Sequence, residues 1–275
     1  MGAVNLVLVC SLLMILANPS YAKIYKWVDE DGRIHFSDRK NHSVKQEVVN
    51  VKPGSSNWSR FDIKIETVDV ELSDKENQQI VDGVNNVYEF FDRVMFFDMY
   101  RTVPVNILIF KDKTGYRKYL VSKNKGQWVA SYGLYIPSEH QIVVYVQQNR
   151  SRTFKTIKHE VSHAVVDTIV PYSPAWLNEG LAEQMEMLER DEKSLYFEHH
   201  AHNLGVVAQA GQFLYFLFSK PTRRNFVVRL MRNFNRGDRT LSYYLVDNNY
   251  IGGVKVLELD WRNWLLKPGK RIIRL

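Results

Sequence analysis

Apolar and polar positions alternate with period two over Ile24-Tyr25-Lys26-Trp27-Val28 and again over Arg33-Ile34-His35-Phe36-Ser37. Asp29-Glu30-Asp31-Gly32 between them has turn chemistry, so the pair predicts a β-hairpin. Two strands alone are marginal, so the hairpin is expected to pack a third strand near residues 47–51 or to dock on the main domain. Lys52-Pro53-Gly54-Ser55-Ser56-Asn57 then reads as a linker. Residues 61–70 are strand-like, with Ile63 and Ile65 on an apolar face. Ser73 and Glu76 have capping-box spacing, and apolar residues then recur at helical intervals, Ile80, Val84, Val87, Tyr88, Phe91 and Met95, as a core stripe.

Further on, residues 103–110 (VPVNILIF) predict a buried strand and 113–121 a short helix. Residues 128–136 and 140–148 predict two strands joined at Pro137-Ser138-Glu139. In the second, Ile142, Val144 and Val146 face one way and Val143 and Tyr145 the other. Residues 154–183 predict two helices, broken at Pro171 and Pro174, with Ser173 as the second N-cap and Pro174 in its first turn. Helices over 204–218, 226–234, 241–246 and 256–266 complete a helical C-terminal half. Arg223, Arg224, Arg229 and Arg232 are expected on the exposed side of their helix. Lys267-Pro268-Gly269 ends the last helix, leaving a basic tail.

Residues 1–22 carry an apolar run from Val4 to Ala17, too short to span a bilayer comfortably, and end in Ser20-Tyr21-Ala22. They read as a secretory signal peptide cleaved before Lys23, although no Lys or Arg precedes the run. The single cysteine, Cys10, leaves with it, so disulfides, thiolate ligands and redox chemistry are excluded from the mature chain. The expected organisation is a signal peptide over 1–22, a small β module over 23–51, a linker over 52–60 and one domain over 61–275. No later segment reaches about 18 apolar residues, so the processed protein is expected to be exported and soluble, periplasmic or extracellular. A formal charge of +7 suits an anionic envelope surface or acidic partners. Nucleic acid is not an expected partner, because no basic helix is interleaved with aromatic residues.

The chemistry concentrates in His159-Glu160-Val161-Ser162-His163. Histidines four apart on a helix share a face, with Cβ atoms about 5–6 Å apart. Such a pair can grip one tetrahedral Zn²⁺ and leave coordination positions free. Glu160 can reach a water activated by the ion without being a ligand, which is the place for a general base. Trp176-Leu177-Asn178-Glu179-Gly180-Leu181-Ala182-Glu183 follows, with fifteen residues between His163 and Glu179, enough for a turn and a returning helix that lays Glu179 beside the histidines. Gly180 and Ala182 are small enough for close helix packing. His35 reads as a hairpin surface residue and His140 as a turn residue. Glu198-His199-His200-Ala201-His202 reads as a solvated tract more than a second metal site.

HExxH followed by WLNEGLAE resembles the gluzincin zinc metallopeptidases, in particular the peptidase MA-like branch of bacterial envelope proteins. IYKWVDEDGRIHFSD resembles a short N-terminal domain of unknown function carried by many such proteins. The first resemblance implies an α+β, zincin-like domain: a mixed sheet with an edge strand before the HExxH helix, which an extended peptide could join, and a helical C-terminal half. It implies Glu179 as third zinc ligand beside His159 and His163. Glu183 matches an acidic position that in some relatives hydrogen-bonds a ligand histidine. Asp167, four after His163, competes for that role. Relatives often place an oxyanion-stabilising tyrosine near the start of a helix resembling Ala208-Gln209-Ala210-Gly211. Here Val207 stands there, and Tyr215, Tyr145, His199, His200 and His202 are the remaining candidates.

The resulting expectation is a zinc-dependent envelope endopeptidase acting on peptide or protein substrates. The other reading is a catalytically weak or inactive metal-binding assembly factor. The missing tyrosine favours the second and the intact Glu160 the first.

Overall fold

The computed structural model describes residues 23–28, 34–37, 45, 47–50, 63–97, 105–171, 173–199, 206–237, 243–266 and 271–275. The proposed signal peptide, the hairpin turn and the linker lie outside them. The chain divides between Asn57 and Trp58 into two compact units, a boundary inside the segment read as linker.

In the first unit, β1 (Lys23–Val28) pairs antiparallel with β2 (Ile34–Ser37) and with β3 (Glu47–Asn50), in the order β2-β1-β3. Trp27 faces His35 and Ile24 faces Val49 across the ladders. The third strand supplies the partner that a lone hairpin lacks.

The second unit is α+β. Its larger sheet runs β4-β5-β7-β6, with β4 (Ile63–Val68), β5 (Val105–Phe110) and β7 (Gln141–Tyr145) parallel and β6 (Gly133–Ile136) antiparallel at the edge. Parallel pairing requires crossovers, supplied by α1 (Asp74–Glu89) and α2 (Lys113–Ser122). α1 starts at the expected capping box: the Glu76 N–H donates to Ser73 Oγ at 3.4 Å and the Ser73 N–H to Glu76 Oε2 at 2.9 Å. One π-helical turn, Phe90–Val94, extends it and buries Phe90 and Phe91.

Alternation along β7 separates two cores. Ile142 and Val144 join the main core with α1 and α3 (Arg150–Ile169), and Val143 and Tyr145 pack with Tyr116 and Leu120 of α2. Two expectations change here. The segment 128–136 is a strand only from Gly133: Trp128 ends a 3-10 turn that begins at Gly126, and residues 129–132 are turn and bend. The edge strand is β6, because β7 is hydrogen-bonded on both sides.

After α3 come α4 (Ala175–Glu186), β8 (Leu188–Arg190), β9 (Leu195–His199), α5 (Val206–Phe218), α6 (Pro221–Asn235), α7 (Tyr243–Asn249), α8 (Gly253–Leu265) and β10 (Arg271–Arg274). The C-terminal half is therefore not purely helical. A second antiparallel sheet, β10-β9-β8, uses part of the expected basic tail as a strand, with Ile273 in the core opposite Phe197. Arg223 also departs from expectation. It is buried, donating to Asp260 Oδ2 at 2.8 Å and to the Tyr250 hydroxyl at 3.2 Å, with its guanidinium 4.1 Å from the Phe216 ring centroid. No helix among the described residues is long and apolar enough to cross a membrane.

Candidate metal centre

α3 supplies His159, Glu160 and His163. Asn149 caps it, its side chain accepting the Ser151 N–H at 3.0 Å. Val161, Ala164 and Val165 fix the helix in the core, and the two imidazoles lie with ring centroids 4.8 Å apart, nearly edge to face. α4 returns the chain. Pro174 is its N-cap, one position later than expected, and its carbonyl accepts from Leu177 and Asn178 at 3.0 Å. Leu177, Leu181 and Met185 bury the opposite side of α4.

Gly180 sets how closely α4 meets α5. A Cβ there would lie 2.9 Å from Leu214 Cδ1 and 3.0 Å from the Ala210 carbonyl oxygen, and that backbone cannot yield. Gln184 Nε2 donates to the Gly211 carbonyl at 2.7 Å, a buried bond that fixes the same approach.

This packing brings His159, His163 and Glu179 together. Glu179 Oε2 is 3.6 Å from His159 Nε2, and its Oε1 is 3.8 Å from His163 Nε2. One ligand atom from each residue lies within 4.8 Å of the others. The remaining ring nitrogens are engaged. His159 Nδ1 lies 2.7 Å from Glu186 Oε1, and His163 Nδ1 lies 3.0 Å from Asn178 Oδ1. Both partners accept, so each Nδ1 donates and each Nε2 of a neutral ring is left as a lone-pair acceptor. Two such nitrogens and a carboxylate face one another, a group that could hold a metal ion. Burial opposes the charge on His159, but the carboxylates of Glu179 and Glu186 push its pKa up to about 10. The same imidazole holds the Glu179 carboxyl below its ordinary value.

Neither residue expected to support a histidine does so. Glu183 turns to α5 and accepts from the Gly211 backbone N–H, and burial raises its carboxyl to about 7. Asp167 is exposed on α3. Glu186 takes the place at His159 because it lies seven residues, two turns, beyond Glu179 on one helical face. Asn178 reaches His163 from the position before the ligand. Both fall in or beside the quoted motif, but which carboxylate or amide reaches a ring depends on how α4 is rotated about its axis.

Glu160 is buried beside the histidines, and its Oε2 accepts the Tyr135 backbone N–H of β6 at 2.8 Å. Burial pushes its carboxyl up, while His163, His159 and the Tyr135 N–H pull it down. Gly133 makes room: a Cβ there would lie 2.7 Å from the Thr156 methyl and 2.9 Å from Glu160 Oε1. Gly133 and Tyr135 were not singled out by motif.

Both tyrosine candidates are packed into the core. Tyr215 is buried with its ring 6.0 Å from that of Trp264, and Tyr145 packs on Tyr116 at the other face of the sheet. His200 and His202, like the His199 side chain, lie outside the described residues. His140 is an exposed turn residue with φ 47°, its Nδ1 3.4 Å from the Tyr135 hydroxyl.

Residues 11–57 match the family model DUF4124, a domain of unknown function, common at the N-termini of bacterial envelope proteins; no metallopeptidase family model matches. The matched stretch ends where the first compact unit ends. No curated protein matches the chain.

Proposed function

We propose that the second unit is a zinc-dependent, zincin-like endopeptidase of the bacterial envelope. The observation that carries this reading is the convergence of His159, His163 and Glu179 beside a buried Glu160 that is hydrogen-bonded to an edge strand. His159, His163 and Glu179 would hold the ion. Zinc at such a site supplies Lewis acidity and lowers the pKa of water.

The protein's own groups divide the remaining work. Glu186 and Asn178 hold the two imidazoles with Nε2 turned inward. Glu160, with its carboxyl pushed up by burial, accepts a proton from the attacking water and returns it to the leaving amine. The outer edge of β6 offers backbone groups to an extended peptide, placing its scissile bond by strand addition. Export after removal of residues 1–22 accounts for the cysteine-free remainder of the chain.

The test is zinc content and peptide hydrolysis in wild type and Glu160→Gln. Stoichiometric zinc in both, with hydrolysis reduced about 10²–10⁴-fold in the variant, is expected. Full activity in Glu160→Gln rules out the mechanism, and absence of zinc from wild type rules out the site. The burial of Tyr215 and Tyr145 among other rings favours a second reading, a metal-binding assembly factor with little turnover. It predicts bound zinc with no hydrolysis in either protein.

A further inference from the structure

α8 is apolar on two sides. Val254, Leu257, Trp261 and Trp264 face the core, as expected of a helix stripe with spacing three and four. Val256, Leu259 and Leu266 lie within about 80° of one another on the opposite side, where a packed helix is normally polar. Leu259 is 59% exposed and Leu266 79%. Asn263 is the polar position inside that arc. The turn before the helix adds Ile251, 76% exposed, at the Val256 end, since Gly252 lies directly against the Val256 side chain. Among the described residues, most of the exposed large hydrophobic side chains fall in this C-terminal part of the chain, from Tyr244 to Ile272.

Charge flanks one side of the stripe. Lys255 and Arg262, both exposed, sit about 20–60° from Leu259 and Leu266 around the helix, with the exposed Glu258 beyond them on the same flank, farther from the stripe. Across the stripe stands Asp260, whose carboxylate is taken by Arg223 and Tyr250.

We infer that this outer face of α8 is a membrane-surface site that lies flat on a bilayer containing anionic lipids. Ile251, Val256, Leu259 and Leu266 enter the acyl boundary, and Lys255 and Arg262 contact headgroup phosphates. Interfacial helices have this composition, an apolar strip with a basic flank and low overall hydrophobicity. The formal charge of +7 adds long-range attraction to the same surface. A second copy of the chain fits less well. Four aliphatic side chains supply far less than the roughly 800 Å² per partner of a stable interface. The inference does not depend on the metal centre.

The experiment places an environment-sensitive nitrobenzoxadiazole probe on Leu259→Cys, in the full chain carrying Cys10→Ser. Leu266→Cys is a second reporter position and Lys118→Cys, on α2, the control. Vesicles of phosphatidylcholine with phosphatidylglycerol are compared with phosphatidylcholine alone. A blue shift at 259 and 266 with anionic vesicles, weakened by salt and absent at 118, is the expected result. Lys255→Glu with Arg262→Glu should then lower apparent affinity more than tenfold. A probe at 259 and 266 that stays in water while the protein sediments with vesicles overturns the proposal, since contact is then made elsewhere. So does a shift that needs no lipid and grows with protein concentration, which means that a second copy covers the stripe.

Discussion

The Nδ1 atom of His159 donates to Glu186, 2.7 Å away and two helical turns beyond Glu179 on α4. One face of one helix thus carries both the carboxylate that would touch an ion and the carboxylate that orients a ring. Support of this kind fixes the tautomer and is worth about 10–100-fold in metal affinity when lost. Glu186→Ala and Asn178→Ala should each weaken zinc binding by about that factor, measured by competition with a chromophoric chelator. Glu183→Ala should have a smaller effect than either, because its carboxylate turns to Gly211. A larger loss in Glu183→Ala would reverse this assignment.

Gly133→Ala tests the contact between β6 and Glu160. The added methyl meets the Thr156 methyl and the Glu160 carboxylate. Overpacking of this kind costs about 1–3 kcal/mol in a packed site. Urea titration should show that loss while zinc affinity stays within about threefold, since no ligand or ring partner is touched. If the proposed chemistry is right, hydrolysis falls further than stability explains, because Glu160 is displaced from the Tyr135 N–H.

Glu183 predicts a pH dependence. Burial raises its folded carboxyl from 4.5 to about 7. Between those values the folded protein holds more protons than the unfolded chain, so stability falls as pH rises through the window. The destabilisation is absent below about 4.5 and complete above about 7. Glu183→Gln removes it. In chelator, the variant should melt above wild type at pH 8 and near it at pH 4.5. A gap that does not change with pH would mean that the carboxyl is hydrated.

Arg223 connects α6 to α8 through Asp260 and Tyr250 and covers the Phe216 ring on α5. Arg223→Ala leaves Tyr250 and Asp260 without this donor and opens the core. With Asp260 partly exposed, the expected loss is about 2–4 kcal/mol, at or below the range for breaking a buried pair. Chemical denaturation should show it, with zinc stoichiometry unchanged.

What the sequence revealed and what it hid divide along physical lines. Local signals were legible: the Ser73–Glu76 box, the alternation in β1 and β2 and the two faces of β7 are each encoded within a few residues. The cluster of His159, His163 and Glu179 was legible because helical spacing and one tight turn fix it. The groups on the far ring nitrogens were not. They depend on the rotation of α4 about its axis, which α5 sets through Gly180 and Gln184. Arg223 looked like surface because spacing cannot report a partner 37 residues away. The sheet that includes β10 was hidden for the same reason, since only pairing with β9 makes that basic segment a strand.

Every group described at the centre comes from residues 133 to 186, about a fifth of the chain, and the widest link in it, His159 to Glu186, spans 27 positions. Closing loops of that size costs little chain entropy. If the centre takes an ion as proposed, two neighbouring helical turns and one returning helix offer its ligands without waiting for the C-terminal strand to find a partner. The ion's binding free energy is then available to the folding reaction and not only to the finished protein. Metal supply should consequently alter how fast this chain reaches its native state, as well as how firmly it stays there.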